Sequence, residues 1–204
     1  MVAVGSPTDG SNAGSVAAFS RNNSSGVWSA LQTIAPADIS GTNSYFGTAL
    51  HLDGDFLAIG APYQDQGGVA SAGSVYIFVY AAGSYLFQQK IVGTLVNANF
   101  GYSVCLDGNN IAIGAPFKNY YTNGSPNAYV YARTGDARNE TGKFHLYGED
   151  GGDPSTFFGL SVSLKNNWLF IGNPGGYTNI GVGVFNYVSG KQCCLFISPK
   201  YRYF

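Results

Sequence analysis

Residues 100–116 read Phe100-Gly101-Tyr102-Ser103-Val104-Cys105-Leu106-Asp107-Gly108-Asn109-Asn110-Ile111-Ala112-Ile113-Gly114-Ala115-Pro116. The first part alternates larger side chains with small or polar ones, which predicts a strand with two unlike faces. Asp107-Gly108 suits the positive-φ positions of a tight hairpin turn. Ile111-Ala112-Ile113 is apolar without alternation, which predicts a strand covered on both faces. Pro116 then stops it, because proline has no N–H to give a ladder. An isolated sheet, wet on one side, would not supply that environment; a sheet stacked between two others would.

The same unit occurs elsewhere in the chain. Phe46-Gly47 pairs with Gly60-Ala61-Pro62, and Phe158-Gly159 with Gly172-Asn173-Pro174, while Gly5-Ser6-Pro7 keeps only the second half. From the Gly of Phe-Gly to the Gly of Gly-x-Pro the distance is 13 residues in all three complete copies. The copies themselves recur at 55, 54 and 58 residues, counted between Gly5, Gly60, Gly114 and Gly172. A constant inner spacing with a drifting outer one predicts a rigid hairpin joined by variable loops. A third strand follows each Gly-x-Pro (Ser74–Tyr80, Ala128–Tyr131, Val182–Phe185, Ser15–Phe19), then a turn and a fourth strand such as Tyr85–Lys90. The expected units are an incomplete one at about 1–44, then 45–98, 99–156 and 157–204. Because Val2–Pro7 is already a second strand, the chain reads as a fragment that begins inside a unit. The absence of a signal peptide is then uninformative.

Composition agrees with many short strands. The 204 residues include 29 Gly, 15 Tyr and 14 Phe, and only 10% are charged. The net charge of −1 and the lack of a basic patch give a nucleic-acid partner no electrostatic support. No apolar run is long enough to span a bilayer as a helix. The three cysteines, Cys105 and the adjacent Cys193-Cys194, form no CxxC and leave one thiol over, so they predict no disulfide framework.

With Phe-Gly, Gly-Ala-Pro and Gly-Ser-Val-Tyr-Ile-Phe (73–78) at this period, the chain resembles the FG-GAP repeat of the integrin α-subunit propeller. The resemblance implies an all-β fold, a partial β-propeller of about four repeats: three full four-stranded blades and three strands of another. It further implies a non-catalytic recognition or adhesion module, extracellular or at the cell surface. Its partner would be a protein or a glycan, and the remaining blades of a larger propeller, or self-association, would complete the fold. The alternative is an accessory propeller of a larger secreted or surface hydrolase. Calcium-binding blades of the family carry an acid-rich loop between the first two strands. Here the 13-residue spacing leaves only Asp53-Gly54-Asp55, Asp107-Gly108-Asn109 or Lys165-Asn166-Asn167, so no metal or other cofactor is expected.

The motif residues Phe46, Gly47, Gly60, Pro62, Phe100, Gly101, Gly114, Pro116, Phe158, Gly159, Gly172 and Pro174 are expected to build the fold rather than a site. The Phe rings should fill space between blades, and the glycines should allow close backbone approach. For catalysis, His51 and His145 enter no Ser/His/Asp set, His-x-x-x-His pair or paired-Glu arrangement by spacing. Glu149, Asp150 and Asp153 form the densest acidic loop, read as a solvated one. The better candidates for partner contact are loop residues after Gly-x-Pro: Tyr63 and Asp65, and Phe117, Tyr120 and Tyr121. Exposed aromatics among adaptable polar neighbours are what recognition surfaces use. Asn23, Asn123 and Asn139 begin N-x-S/T triplets, which fit an extracellular setting.

Overall fold

The computed structural model describes residues 1–39, 43–117, 128–134, 137–146, 157–174, 181–188 and 191–197. Within them lie four antiparallel sheets, each with its strands in chain order. The first has three strands, β1 (Val2–Ser6), β2 (Ser15–Arg21) and β3 (Trp28–Ile34). The second has β4 (Ala49–Asp53), β5 (Phe56–Ala61), β6 (Ser74–Ala81) and β7 (Ser84–Val92). The third has β8 (Ser103–Asp107), β9 (Asn110–Gly114), β10 (Ala128–Thr134) and β11 (Ala137–Leu146). The fourth has β12 (Val162–Lys165), β13 (Trp168–Asn173), β14 (Gly181–Val188) and β15 (Lys191–Ile197). The fold is a partial β-propeller, and the sheets are its blades. The first described blade has the second, third and fourth strands of the repeat. Among the described residues no helix is long and apolar enough to cross a membrane.

Local chemistry sets the hairpins. Each first hairpin closes with a two-residue turn, Gly54-Asp55, Gly108-Asn109 or Asn166-Asn167. Gly54 and Gly108 stand at φ 57° and 55°, and in the fourth blade Asn166 and Asn167 take φ 48° and 66°. Asparagine tolerates that backbone better than most side chains. At the open end the Gly of Phe-Gly donates its N–H to the carbonyl of the Gly of Gly-x-Pro. Those bonds run from Gly47 to Gly60 (2.9 Å), Gly101 to Gly114 (3.0 Å) and Gly159 to Gly172 (3.0 Å). The constant 13-residue spacing is therefore the length of one closed hairpin.

The core lies between blades. Val16, Ala18 and Ile34 of the first blade pack with Leu57, Ile59 and Tyr76 of the second. Ala58, Val75 and Ile77 on the other side of the second blade pack with Val104, Ile111 and Ile113 of the third. Ala112, Ala128 and Val130 then pack with Leu164, Leu169 and Ile171 of the fourth. Phe46, Phe100 and Phe158, one to each joint, are 0–1% exposed. Phe46 meets Tyr76 edge-on at 5.3 Å, and Phe100 meets Tyr129 at 5.1 Å, geometries favoured by the ring quadrupole.

Backbone contacts lock each joint. Phe46 and Tyr45 donate N–H to the carbonyls of Ala13 (3.0 Å) and Asn12 (2.8 Å) of the preceding blade. Phe100 and Asn99 do the same to Ala72 and Ser71, both at 3.1 Å. A Cβ built on Gly5, Gly60 or Gly114 would overlap the carbonyl oxygen of Gly47, Gly101 or Gly159, the Phe-Gly glycine of the next blade. Only glycine permits that approach.

The second strands differ from expectation at the ends of the stack. β5 and β9 are covered on both faces as their sequences predict. In β13, however, Trp168 and Phe170 are 44% and 43% exposed, and in β1 Val2 and Val4 are 40% and 50% exposed. The cause is position: among the described residues no sheet lies beyond them.

These contacts predict unequal glycines. Gly60→Ala should lower unfolding free energy by about 3 kcal/mol or more, since backbone must move to admit the methyl. Gly67→Ala, at φ 57° with open space around it, should cost only about 1 kcal/mol. Urea unfolding measures both, and equal small losses would contradict the packing account.

Candidate functional site

Two groups of side chains were candidates for chemistry, one along the inner strands and one on the face where the Gly-x-Pro loops emerge. The inner strands β4, β8 and β12 bring His51, Cys105 and Ser163 into one column. His51 Nδ1 accepts the Leu106 N–H (3.1 Å), and its Nε2 lies 3.6 Å from Cys105 Sγ. Cys105 Sγ in turn accepts the Leu164 N–H at 3.2 Å. Each side chain thus holds the first strand of the next blade. Two residues further along, Asp53 accepts the Gly108 N–H (2.6 Å) and Asp107 accepts the Asn166 N–H (2.7 Å). Asp107 also pairs with Lys165 at 2.8 Å.

Electrostatics assigns this column to structure. Burial pushes the Cys105 thiol up, away from the nucleophilic thiolate. Burial also lowers the His51 pKa, opposed by Asp53 and Asp107 and assisted by Lys165. A neutral His51 is the form that accepts an amide hydrogen at Nδ1. Among the described residues no group of three His, Cys, Asp or Glu side chains is placed to hold a metal ion.

The loop face carries a row of aromatic rings across three blades. Tyr45 and Tyr63 lie with ring centroids 5.0 Å apart. Tyr102 is near enough to raise the Tyr63 phenol pKa, after the larger effect of burial, and Tyr45 adds to it. Tyr102 meets Phe117 at 5.2 Å, and Phe117 meets Phe157 at 5.7 Å. Tyr63 and Phe157 are each 37% exposed. The row rests on the blade joint, where buried Asn99 donates Nδ2–H to the Pro62 carbonyl at 3.2 Å.

Two members of the row sit on unusual backbone. Tyr45 and Phe157, each just before a Phe-Gly, have φ 52° and 51°; the matching residue between them in the repeat, Asn99, has φ 54°. In that left-handed region an asparagine is at ease, whereas a bulky aromatic is strained. Strain of this kind is kept where surroundings hold it, often at binding sites.

Of the sequence-predicted contact residues, Tyr63 and Phe117 fall in this row. Asp65 is exposed, but its Oδ1 accepts the Ser71 N–H (2.8 Å) and shapes the loop of residues 66–70. Tyr120, Tyr121 and the acidic cluster Glu149, Asp150 and Asp153 lie outside the described residues, as does Asn123. For His145, Asn139, Cys193 and Cys194 only the strand is described. The sequence reading missed Tyr45, Tyr102 and Phe157. Their signal was available: all three flank a Phe-Gly, and the repeat places such flanks on one face. Between Tyr63 and Asp65 the loop also carries Gln64, whose side chain turns inward. Gln64 is buried, bonding Ser74 Oγ and Tyr76 OH (2.9 Å) and donating to the Asp38 carbonyl (3.0 Å). A cleft of about 480 Å³ opens beside it between the first two blades, lined by Ile34, Pro36, Asp38, Tyr76, Phe78 and Phe87.

The family model for the FG-GAP repeat matches residues 28–78 and 88–131. No curated protein matches the chain.

The His51 contact predicts a pH dependence. Its folded pKa lies below the ordinary 6.5, so on acidification the unfolded chain takes up the proton first. Stability should be constant above that value and fall as pH drops through and below it. His51→Gln, which keeps an acceptor for the Leu106 amide, should flatten the slope between about pH 7 and 5 in thermal melts. An unchanged slope would contradict the assignment.

Proposed function

The chain is an FG-GAP repeat protein, and we propose that it is a non-catalytic recognition module that engages a protein or glycan through the aromatic row on its loop face. The reading rests on one observation: two sets of touching, partly exposed rings, Tyr45 with Tyr63 and Tyr102 with Phe117 and Phe157, lie across three blades, with strained backbone beneath two of them. Rigid aromatic rings offer large contact area with little side-chain entropy to lose, and the phenols add directional hydrogen bonds. Asp65, exposed at the base of the loop that its Oδ1 closes onto the Ser71 N–H, offers its other carboxylate oxygen for a polar contact. Tyr120 and Tyr121 belong to the proposed contact set by their place in the sequence after Phe117.

The functional chemistry of the inner column argues the same way. His51 and Cys105 are spent on holding neighbouring strands, which leaves no acid–base pair among them for turnover. An extracellular or cell-surface setting suits a module of this family, and Asn23 lies exposed in a turn where a glycan could be carried.

Binding to immobilised glycan and extracellular-matrix protein panels tests the proposal. Tyr63→Ala, Phe117→Ala and Tyr45→Asn should each weaken the interaction by about 5- to 30-fold, the range for loss of a central aromatic anchor. Tyr45→Asn suits its left-handed backbone, so its melting temperature should not fall. Undiminished binding by all three variants would overturn the reading; so would loss of binding that only tracks loss of stability.

A further inference from the structure

The cleft between the first two blades owes its shape to a connection that is longer than the one at the next joint. Val16 pairs with Ile34 and its counterpart Val75 with Ile91, so the two isoleucines mark the same place in successive repeats. From Ile34 to Phe46 the step is 12 residues, whereas from Ile91 to Phe100 it is 9. The longer connection includes the 3₁₀ turn Ala37–Ile39. Ala35, Pro36 and Ala37 form one wall of the cleft, and their short side chains leave the space beside them unfilled. Phe87 of β7 forms the opposite wall, with Tyr76 and Phe78 as the floor.

Two ties between the blades frame the cleft. At one end Gln32 Oε1 accepts the Tyr85 N–H (2.8 Å), and Gln32 Nε2–H donates to the Tyr85 carbonyl (3.2 Å). At the other end Asp38 pairs with Lys90 at 2.8 Å, and the Lys90 ammonium lies 5.1 Å from the centre of the Tyr76 ring. Tyr85, Phe87 and Lys90 stand opposite Tyr80, Phe78 and Tyr76 across the β6–β7 pair. Five residues of strand set the two ties about 15 Å apart. The ties hold the cleft open before any ligand arrives. Its volume of about 480 Å³ is ordinary for a small-molecule site.

What the cleft presents selects its occupant. Asp38 is the charged residue of its described lining, and Lys90 compensates it, so a ligand of either charge meets a like charge. A wholly apolar ligand would strip water from the half-exposed Asp38 carboxylate and give nothing back. An extended peptide running along the cleft would meet the ties at both ends, so a compact group entering from the rim fits better. A pyranose ring answers each condition. Its C–H face suits Phe87, which is 58% exposed. Its neighbouring hydroxyls both donate and accept, as the carboxylate and the remaining N–H groups of the ammonium require. We infer that this cleft is a second binding site, separate from the aromatic row, and that it takes the terminal unit of a neutral glycan. The sugar lies against Phe87 and bonds Asp38 and Lys90 through its hydroxyls.

An array carrying neutral glycans, acidic glycans and proline-rich peptides, probed with the 204-residue chain, tests this. Multivalent display brings a weak single site into range. Binding to neutral glycans is expected. It should fall by about tenfold or more in Phe87→Ala and in Ala37→Trp, whose indole fills the cleft. Ala37 is exposed, so Ala37→Trp should keep the wild-type melting temperature and separate blockage from unfolding. Tyr63→Ala and Phe117→Ala should leave this binding unchanged. No binding to any neutral glycan would overturn the inference, as would binding to acidic glycans or proline-rich peptides alone. Neutral-glycan binding that survives Ala37→Trp would overturn it too. Neutral-glycan binding lost only in the row variants would overturn it while supporting the proposed function, so the two readings fail separately.

Discussion

A glycine α-carbon pressed against the carbonyl oxygen of the next blade's Phe-Gly sets the distance between blades. Gly5, Gly60 and Gly114 each occupy that position, and each would lose it with a single added methyl. The short approach lets the Phe46 and Phe100 amides reach the carbonyls of Ala13 and Ala72 in the preceding blade. It also seats the three Phe rings in the joints, where they are almost wholly buried. Hydrophobic burial supplies most of the favourable energy in such a joint, but burial is non-directional. The glycine contacts and the amide–carbonyl pairs make the joint specific.

Function follows from what that frame fixes and what it leaves free. Because Phe-Gly and Gly-x-Pro both lie at the joint, the residues flanking them emerge together on one face. The aromatic row from Tyr45 to Phe157 is a direct product of that register. Its two strained members show that local backbone preference was overruled there. On the inner strands the register has the opposite effect. His51, Cys105, Asp53 and Asp107 are consumed in holding the next blade's backbone, so residue types that look chemical in the sequence are structural in the fold.

Much of this was legible in the sequence because the repeat is a physical record of the joint. The constant spacing of Phe-Gly and Gly-x-Pro gave the hairpin, and the apolar second strands gave the stack. Two things were less legible. Burial of a strand depends on whether a neighbour exists, so Trp168 and Phe170 read as buried although their blade is the last described. The aromatic row was only half visible. Tyr63 and Phe117 stood out as loop residues, but Tyr45, Tyr102 and Phe157 are brought beside them by blade-to-blade register, which no single repeat displays. The side-chain fate of Gln64 was equally hidden, since its partners Asp38 and Tyr76 are distant in sequence.

Amide hydrogen exchange followed by nuclear magnetic resonance tests the central claim most directly. Phe46 and Phe100 lie outside the named strands, yet their N–H groups bond across the joint to Ala13 and Ala72. If blade-to-blade backbone locking governs the fold, these two amides exchange only through global unfolding, as slowly as the slowest amides of β5 and β9. Exchange at the rate of ordinary loop amides, with β5 and β9 still protected, would show that the blades hold together without that lock and would contradict the account.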